Sequence, residues 1–223
     1  MRFIICLFIS FSFISLPLLA EVIENNVGDF IYQLYKPDSY DPSKAYPLII
    51  AFHESTGKGI LMIDRFQEQA EKKGYLVACP NSKDSKKWTY SEKDDVFLMI
   101  EDIKRSFNLD YSKIYLTGFS AGALFTYYLG LNYPEKFRAI APFGGPFTWI
   151  RNDLVLSYDK ARQIPVLILQ GVLDNVVNIE EARVAQKTLE SFGYPVKLRE
   201  IGGLNHEYPN HISWIIVNWF ESN

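Results

Sequence analysis

Lys113–Gly130 reads KIYLTGFSAGALFTYYLG, and its interpretation decides the rest of the chain. KIYLTG, rich in β-branched and aromatic side chains, has the character of a strand. AGALFTYYLG, apolar and free of proline, is compatible with a helix. Between them stands Ser120, with Gly118 and Gly122 two positions to either side. A serine at a helix start is an ordinary N-cap. It is also how a nucleophile looks when the backbone turns sharply from strand to helix. At such a bend bulky neighbours two residues away would clash, glycines relieve the clash, and the hydroxyl stands above the sheet. The helix beginning at Ala121 also points its N-terminal dipole at the same spot. The pentapeptide alone leaves the N-cap open; its place between an apolar strand and a helix favours the nucleophile.

Outward from this turn, strand-like and helical segments alternate. DFIYQLYKP, YPLIIAFH, YLVACP, KIYLTG, FRAIAPFGG, PVLILQG and PVKLREIGG read as strands. IDRFQEQAEKKG, KDDVFLMIEDIKRSFNL, AGALFTYYLGLNYP, NIEEARVAQKTLESFG and YPNHISWIIVNWF read as helices. Val96, Ile100, Ile103 and Phe107 fall at helical spacing, and Gly74 and Gly193 are helix stops. This alternation implies right-handed crossovers and an α/β fold with a mostly parallel sheet and helices on both faces. LIIAF and VLILQ are apolar without alternation, as central strands covered on both faces are. Ligands of such sheets bind beyond the carboxyl ends of the strands.

The loops at those ends hold the chemistry. Ser120 needs a base, and the chain has three histidines, His53, His206 and His211. His211 falls in the terminal helix pattern and His53 ends a strand. His206, in the loop IGGLNHEYP after the last strand, can hang over the sheet edge and is the expected base. Asp174, just past VLILQ, is the expected orienting acid, with an Asx turn or N-cap as its ordinary alternative; Asp153 and Asp159 are weaker rivals. The order Ser, Asp, His is that of α/β-hydrolases. An oxyanion would need amide donors, expected from Ala121 and from Glu54 or Ser55 in the loop FHESTGKG. TGKG is not a phosphate loop, since Phe52 stands at the first required glycine and Gly59 where Ser or Thr should follow Lys58. The scattered histidines make no metal cluster, and no cofactor is called for.

With 223 residues, 48% of them hydrophobic, the chain can bury one well-packed core. A net charge of −3 gives no basic surface for nucleic acid or an anionic membrane. Arg2 followed by FIICLFISFSFISLPLLA resembles a secretory signal cleaved after Ala20, although Leu18 at the −3 position is larger than usual. An uncleaved anchor is the alternative; Pro17, Ala20 and the short apolar run favour cleavage. Residues 21–223 would then form a single domain, secreted or periplasmic, with no stable membrane insertion after cleavage. Cys6 would leave with the signal, and Cys79, in YLVACP, is expected as a buried packing residue without a disulfide partner.

The chain resembles the α/β-hydrolase superfamily, and within it small secreted esterases related to polyhydroxybutyrate depolymerases and feruloyl esterases. The resemblance covers essentially all of residues 21–223. It rests on YPLIIAFHES, on DDVFLMIEDIKRSFNLDYSKIYLTGFSAGALFTYYLGLNYPEKFRAIAPFGG, on LQGVLDNVV and on GGLNHEYP. It implies an α/β-hydrolase fold without a large lid and a serine hydrolase acting on small or polymeric carboxylic esters. It further implies Ser120, Asp174 and His206 as nucleophile, acid and base, and Ser55 and Ala121 as oxyanion donors. One departure stands out: His53-Glu54 replaces the usual His-Gly, bringing a carboxylate near the oxyanion and a residue that resists glycine's backbone angles. Trp88 and Trp149 either flank the site or pack in core and rim. The rivals are a serine peptidase of the prolyl-oligopeptidase type and, on the strength of Glu54, a non-catalytic binding protein on a hydrolase scaffold.

Overall fold

The computed structural model describes residues 21–149, 151–153 and 163–223; the expected signal over residues 1–20 with Cys6, and Asp159, lie outside the described residues. The strands in chain order are β1 Glu21–Val27, β2 Phe30–Lys36, β3 Tyr46–Phe52, β4 Leu76–Pro80, β5 Leu109–Phe119, β6 Ala139–Phe143, β7 Val166–Gly171 and β8 Val196–Ile201. Among the described residues they form one sheet in the order β1-β2-β4-β3-β5-β6-β7-β8. β1 and β2 pair antiparallel, as do β2 and β4, and every other neighbour pair is parallel. The helices are α1 Gly59–Lys73, α2 Glu92–Ser106, α3 Ala121–Asn132, α4 Ile179–Ser191 and α5 His211–Glu221.

The unalternating apolar strands are explained by burial on two sides. In β3, Leu48, Ile50 and Phe52 pack into one core with Val96, Met99 and Ile103 of α2, Phe125 and Leu129 of α3, and Leu189 of α4. Ile49 and Ala51 pack into the other with Met62, Ile63 and Phe66 of α1 and Ile212, Ile216 and Phe220 of α5. Each fully buried Leu, Ile or Phe contributes about 1.5–3 kcal/mol, so the two layers fix the sheet and hence the loops at its carboxyl edge. This is the α/β-hydrolase fold.

Several boundaries differ from the sequence reading. β1 was not anticipated: EVIENNV is a polar edge segment, and its partner comes from the hairpin through Gly28, at φ +62°. β5 starts at Leu109, ahead of KIYLTG, because Leu109 pairs with Tyr46 across a register shift between Tyr46 and Leu48. α1 starts at Gly59 rather than Ile63; the Gly59 amide donates to Asn81 Oδ1 at 2.7 Å. α3 stops at Asn132, where Pro134 leads into a 3-10 turn, Pro134–Lys136. α5 begins at His211 rather than Tyr208.

Candidate active site

Ser120 occupies the link between β5 and α3 with φ +53° and ψ −114°. A non-glycine residue held there stores about 1–3 kcal/mol of strain, and the surroundings enforce it. The Ser120 amide donates to the Phe143 carbonyl at 3.0 Å. A Cβ on Gly122 would overlap the Phe52 carbonyl at the end of β3, and one on Gly118 would overlap the Gly122 backbone and Thr126 Oγ1. The two glycines therefore let β3, β5 and α3 close on the turn, and Ser120 holds the N-cap position without capping, since its side chain makes no capping hydrogen bond.

The structure brings Ser120, His206 and Asp174 together from three separate loops. Ser120 Oγ lies 3.0 Å from His206 Nε2, and His206 Nδ1 lies 2.7 Å from Asp174 Oδ2. Asp174 is 8% exposed. Its Oδ1 accepts from the Val176 and Val177 amides at 2.9 and 2.8 Å, and its Oδ2 from Gln170 Nε2 at 3.0 Å. Four donors thus surround the carboxylate, counting His206 Nδ1–H, which is the tautomer that leaves Nε2 free to accept the Ser120 proton. Phe119 stacks on the His206 ring at 4.9 Å between centroids and limits its rotation. Asp153 ends a short 3-10 turn, Arg151–Asp153.

His53 has a different task. It is 2% exposed. Its Nε2 accepts from the Ser82 amide at 3.0 Å, so the proton sits on Nδ1, which donates to the Glu54 carbonyl at 2.7 Å. Burial, foremost, pulls its pKa below the ordinary value. Further contacts tie the same loop to residues 81–89. Trp88 Nε1 donates to the His53 carbonyl at 2.9 Å, the Thr56 amide to the Ser85 carbonyl at 2.5 Å, and Ser55 Oγ to the Lys86 carbonyl at 2.8 Å. Ser55, Ser120 and Ala121 line one cavity of about 600 Å³. The Ala121 amide, first of α3, has no carbonyl to bond within its own helix.

The Glu54 carboxylate does not stand free at this site. Arg65 of α1 donates to it from both terminal guanidinium nitrogens, Nη2 to Oε1 at 2.7 Å and Nη1 to Oε2 at 2.9 Å. Burial pushes the Glu54 carboxyl up, but the hydrogen bonds and charge of Arg65 outweigh it, and its pKa falls below the ordinary carboxylate value. The remaining walls of the cavity are mainly apolar, with Trp88, Tyr90, Leu124, Pro146, Trp149 and Val177 among them. Trp88 is a buried residue stacked on Phe125 at 5.1 Å that still shows a face to the cavity, while Trp149 is 74% exposed on its rim. His211 is exposed at the start of α5, and Cys79 is buried in β4, where burial pushes its thiol well up.

The sequence reading missed Gln170, Arg65 and Glu92. Gln170 had a visible signal, a polar residue closing an apolar strand four positions before Asp174. Arg65 had none, since its partner is eleven residues away across a helix start. Glu92 is 1% exposed and accepts from the Lys83 amide at 2.8 Å, the Thr89 amide at 2.5 Å and Thr89 Oγ1 at 2.9 Å, folding the loop that braces His53 and Ser55.

Among known proteins, a probable feruloyl esterase C of Aspergillus terreus is 30% identical over 181 residues, 75% of this chain and 64% of that protein. A bifunctional acetylxylan esterase/xylanase of Neocallimastix patriciarum is 27% identical over 170 residues, 71% of this chain and 23% of that protein. The chain thus spans less than two thirds of the length of these relatives. The solved structure of a ferulic acid esterase from Anaeromyces mucronatus superposes with a TM-score of 0.72 at 16% identity, over 92% of this chain and 90% of that one, a likeness of fold. The sequence model of the Phospholipase/Carboxylesterase family matches residues 81–219, more than half of the chain, from the loop that braces Ser55 to the last helix, and the protein belongs to that family.

Proposed function

We propose that this protein is a serine hydrolase of carboxylic esters, exported after cleavage behind Ala20. The observation that carries the reading is the hydrogen-bonded path from Ser120 Oγ through His206 to Asp174, starting from a strained serine at a helix N-terminus. Ser120 Oγ bonds to the ester carbonyl carbon while His206 Nε2 takes its proton. The carbonyl electron pair moves onto oxygen, met by the Ser55 and Ala121 amides. Collapse expels the alcohol, which leaves with the proton from His206. Water then attacks the acyl-enzyme with His206 again as base and releases the acid. Asp174, held by its backbone and Gln170 donors, stabilises the imidazolium. No step requires a metal or cofactor.

The apolar cavity of about 600 Å³ suits a compact acyl or aryl group, and the named relatives make feruloyl and acetyl esters the first candidates. The support for Glu54 as the mark of a non-catalytic scaffold weakens, because Arg65 neutralises it. The test uses residues 21–223 and a panel from acetyl to long acyl, feruloyl and hydroxybutyrate-oligomer esters, with peptide substrates as the last arm. Turnover should fall at least about 10³-fold in Ser120→Ala. Ester turnover no better than that variant sinks the reading, and turnover of peptides alone moves it to the peptidase rival. Export is checked by the mass of the secreted protein, expected to begin at Glu21; a retained leader overturns that part.

A further inference from the structure

Resting on the reading of Ser120 as nucleophile, we propose that Arg65 is a positioning residue for the oxyanion loop: it clamps the Glu54 carboxylate and keeps that negative charge out of the space where the oxyanion forms. Three observations carry this. Glu54 directly precedes Ser55, so its side chain and the expected oxyanion amide share one stretch of backbone. The Arg65–Glu54 contact is a two-pronged ion pair with side chains only 19% and 23% exposed, the fork geometry that fixes direction as well as distance. Arg65 is itself held from below, its guanidinium carbon 4.6 Å from the centroid of the Tyr208 ring and 5.9 Å from that of Phe119, the ring on which His206 stacks. One cation therefore contacts groups on both sides of the site: the Glu54 carboxylate next to Ser55, and the Phe119 ring on which His206 stacks. Among the described residues, the other titratable groups near Glu54 are His53, whose Nδ1 donates to the Glu54 carbonyl, and Tyr208, the ring under Arg65.

Without Arg65 the carboxylate regains its rotamers beside a partly dehydrated site, and a developing negative charge meets a fixed one. The consequence falls on the transition state rather than on ground-state binding.

The experiment compares Arg65→Met, Glu54→Gln and the double variant with the wild type on the best ester, after Ser120→Ala has established that turnover belongs to Ser120. Arg65→Met should lower kcat by about 10- to 100-fold with KM changed less than about threefold. Glu54→Gln in that background should restore at least about tenfold of the loss, and Glu54→Gln alone should lose less than Arg65→Met. Equal damage in Arg65→Met and the double variant, or undiminished kcat in Arg65→Met, overturns the proposal. If Arg65→Met does not fold, Arg65→Lys replaces it under the same criteria, since one ammonium cannot make both prongs of the fork. A wild type without Ser120-dependent turnover fails the site reading itself; an active wild type without the rescue fails only the role of Arg65.

Discussion

At the scale of single residues, Asp174 shows how much of a site is set by partners rather than by identity. Its carboxylate is buried, yet two backbone amides, Gln170 and His206 surround it with donors. An amide in its place cannot accept from all four, and it turns an NH₂ toward groups that are themselves donors. Asp174→Asn should therefore lower kcat by about 10³- to 10⁴-fold, through the wrong imidazole tautomer, with the fold retained. Ester kinetics beside circular dichroism would check this; a loss below about tenfold would mean that another acid orients His206.

At the scale of elements, the site hangs on two loops that lack regular structure of their own. The first, after β3, holds His53, Glu54 and Ser55. The second, residues 81–91 ahead of α2, is folded around Glu92 and grips the first through Ser82, Trp88 and the carbonyl of Lys86. Trp88 then passes the arrangement into the core by stacking on Phe125. Glu92→Ala leaves three buried or half-buried donors without their acceptor and should cost about 3 kcal/mol of stability, measurable by denaturant unfolding. Activity should fall as well, at temperatures where the variant is fully folded, because Ser55 loses its brace. Unchanged kcat at such a temperature would show that the second loop does not hold the first.

At the scale of the molecule, His53 couples the loop geometry to global stability. Unfolded, it titrates near its ordinary value of 6.5; folded, burial first of all holds it lower, against the raising influence of its hydrogen bond to the Glu54 carbonyl and of the Glu54 and Glu92 charges. As pH falls below 6.5 the unfolded chain takes up this proton before the folded one does. Stability from this group is thus complete above that pH and is lost through the window beneath it. The lowered Glu54 carboxyl gives a loss of the same sign, but only below its ordinary 4.5. Between about pH 7.5 and 5.5 the Tm should fall in the wild type and fall less steeply in His53→Gln. Parallel slopes would remove His53 as the cause.

The sequence by itself determined the α/β class, the order of the central elements and the identity of Ser120, His206 and Asp174 as candidates. These are written in local signals: strands apolar on both faces, helices at their own period, and a serine between glycines at a strand end. Set against the usual His-Gly of the family it resembles, it also singled out Glu54 as out of place. Only the tertiary structure decided what that residue does, because the answer lies in Arg65, on a helix that the chain reaches only after another turn. The bracing of Ser55 through Glu92 and the burial of His53 were equally invisible, since each depends on partners brought near by sheet packing. The edge strand Glu21–Val27 escaped for a related reason. A polar strand bonded along one side carries little pattern of its own, and β2 beside it supplies the order.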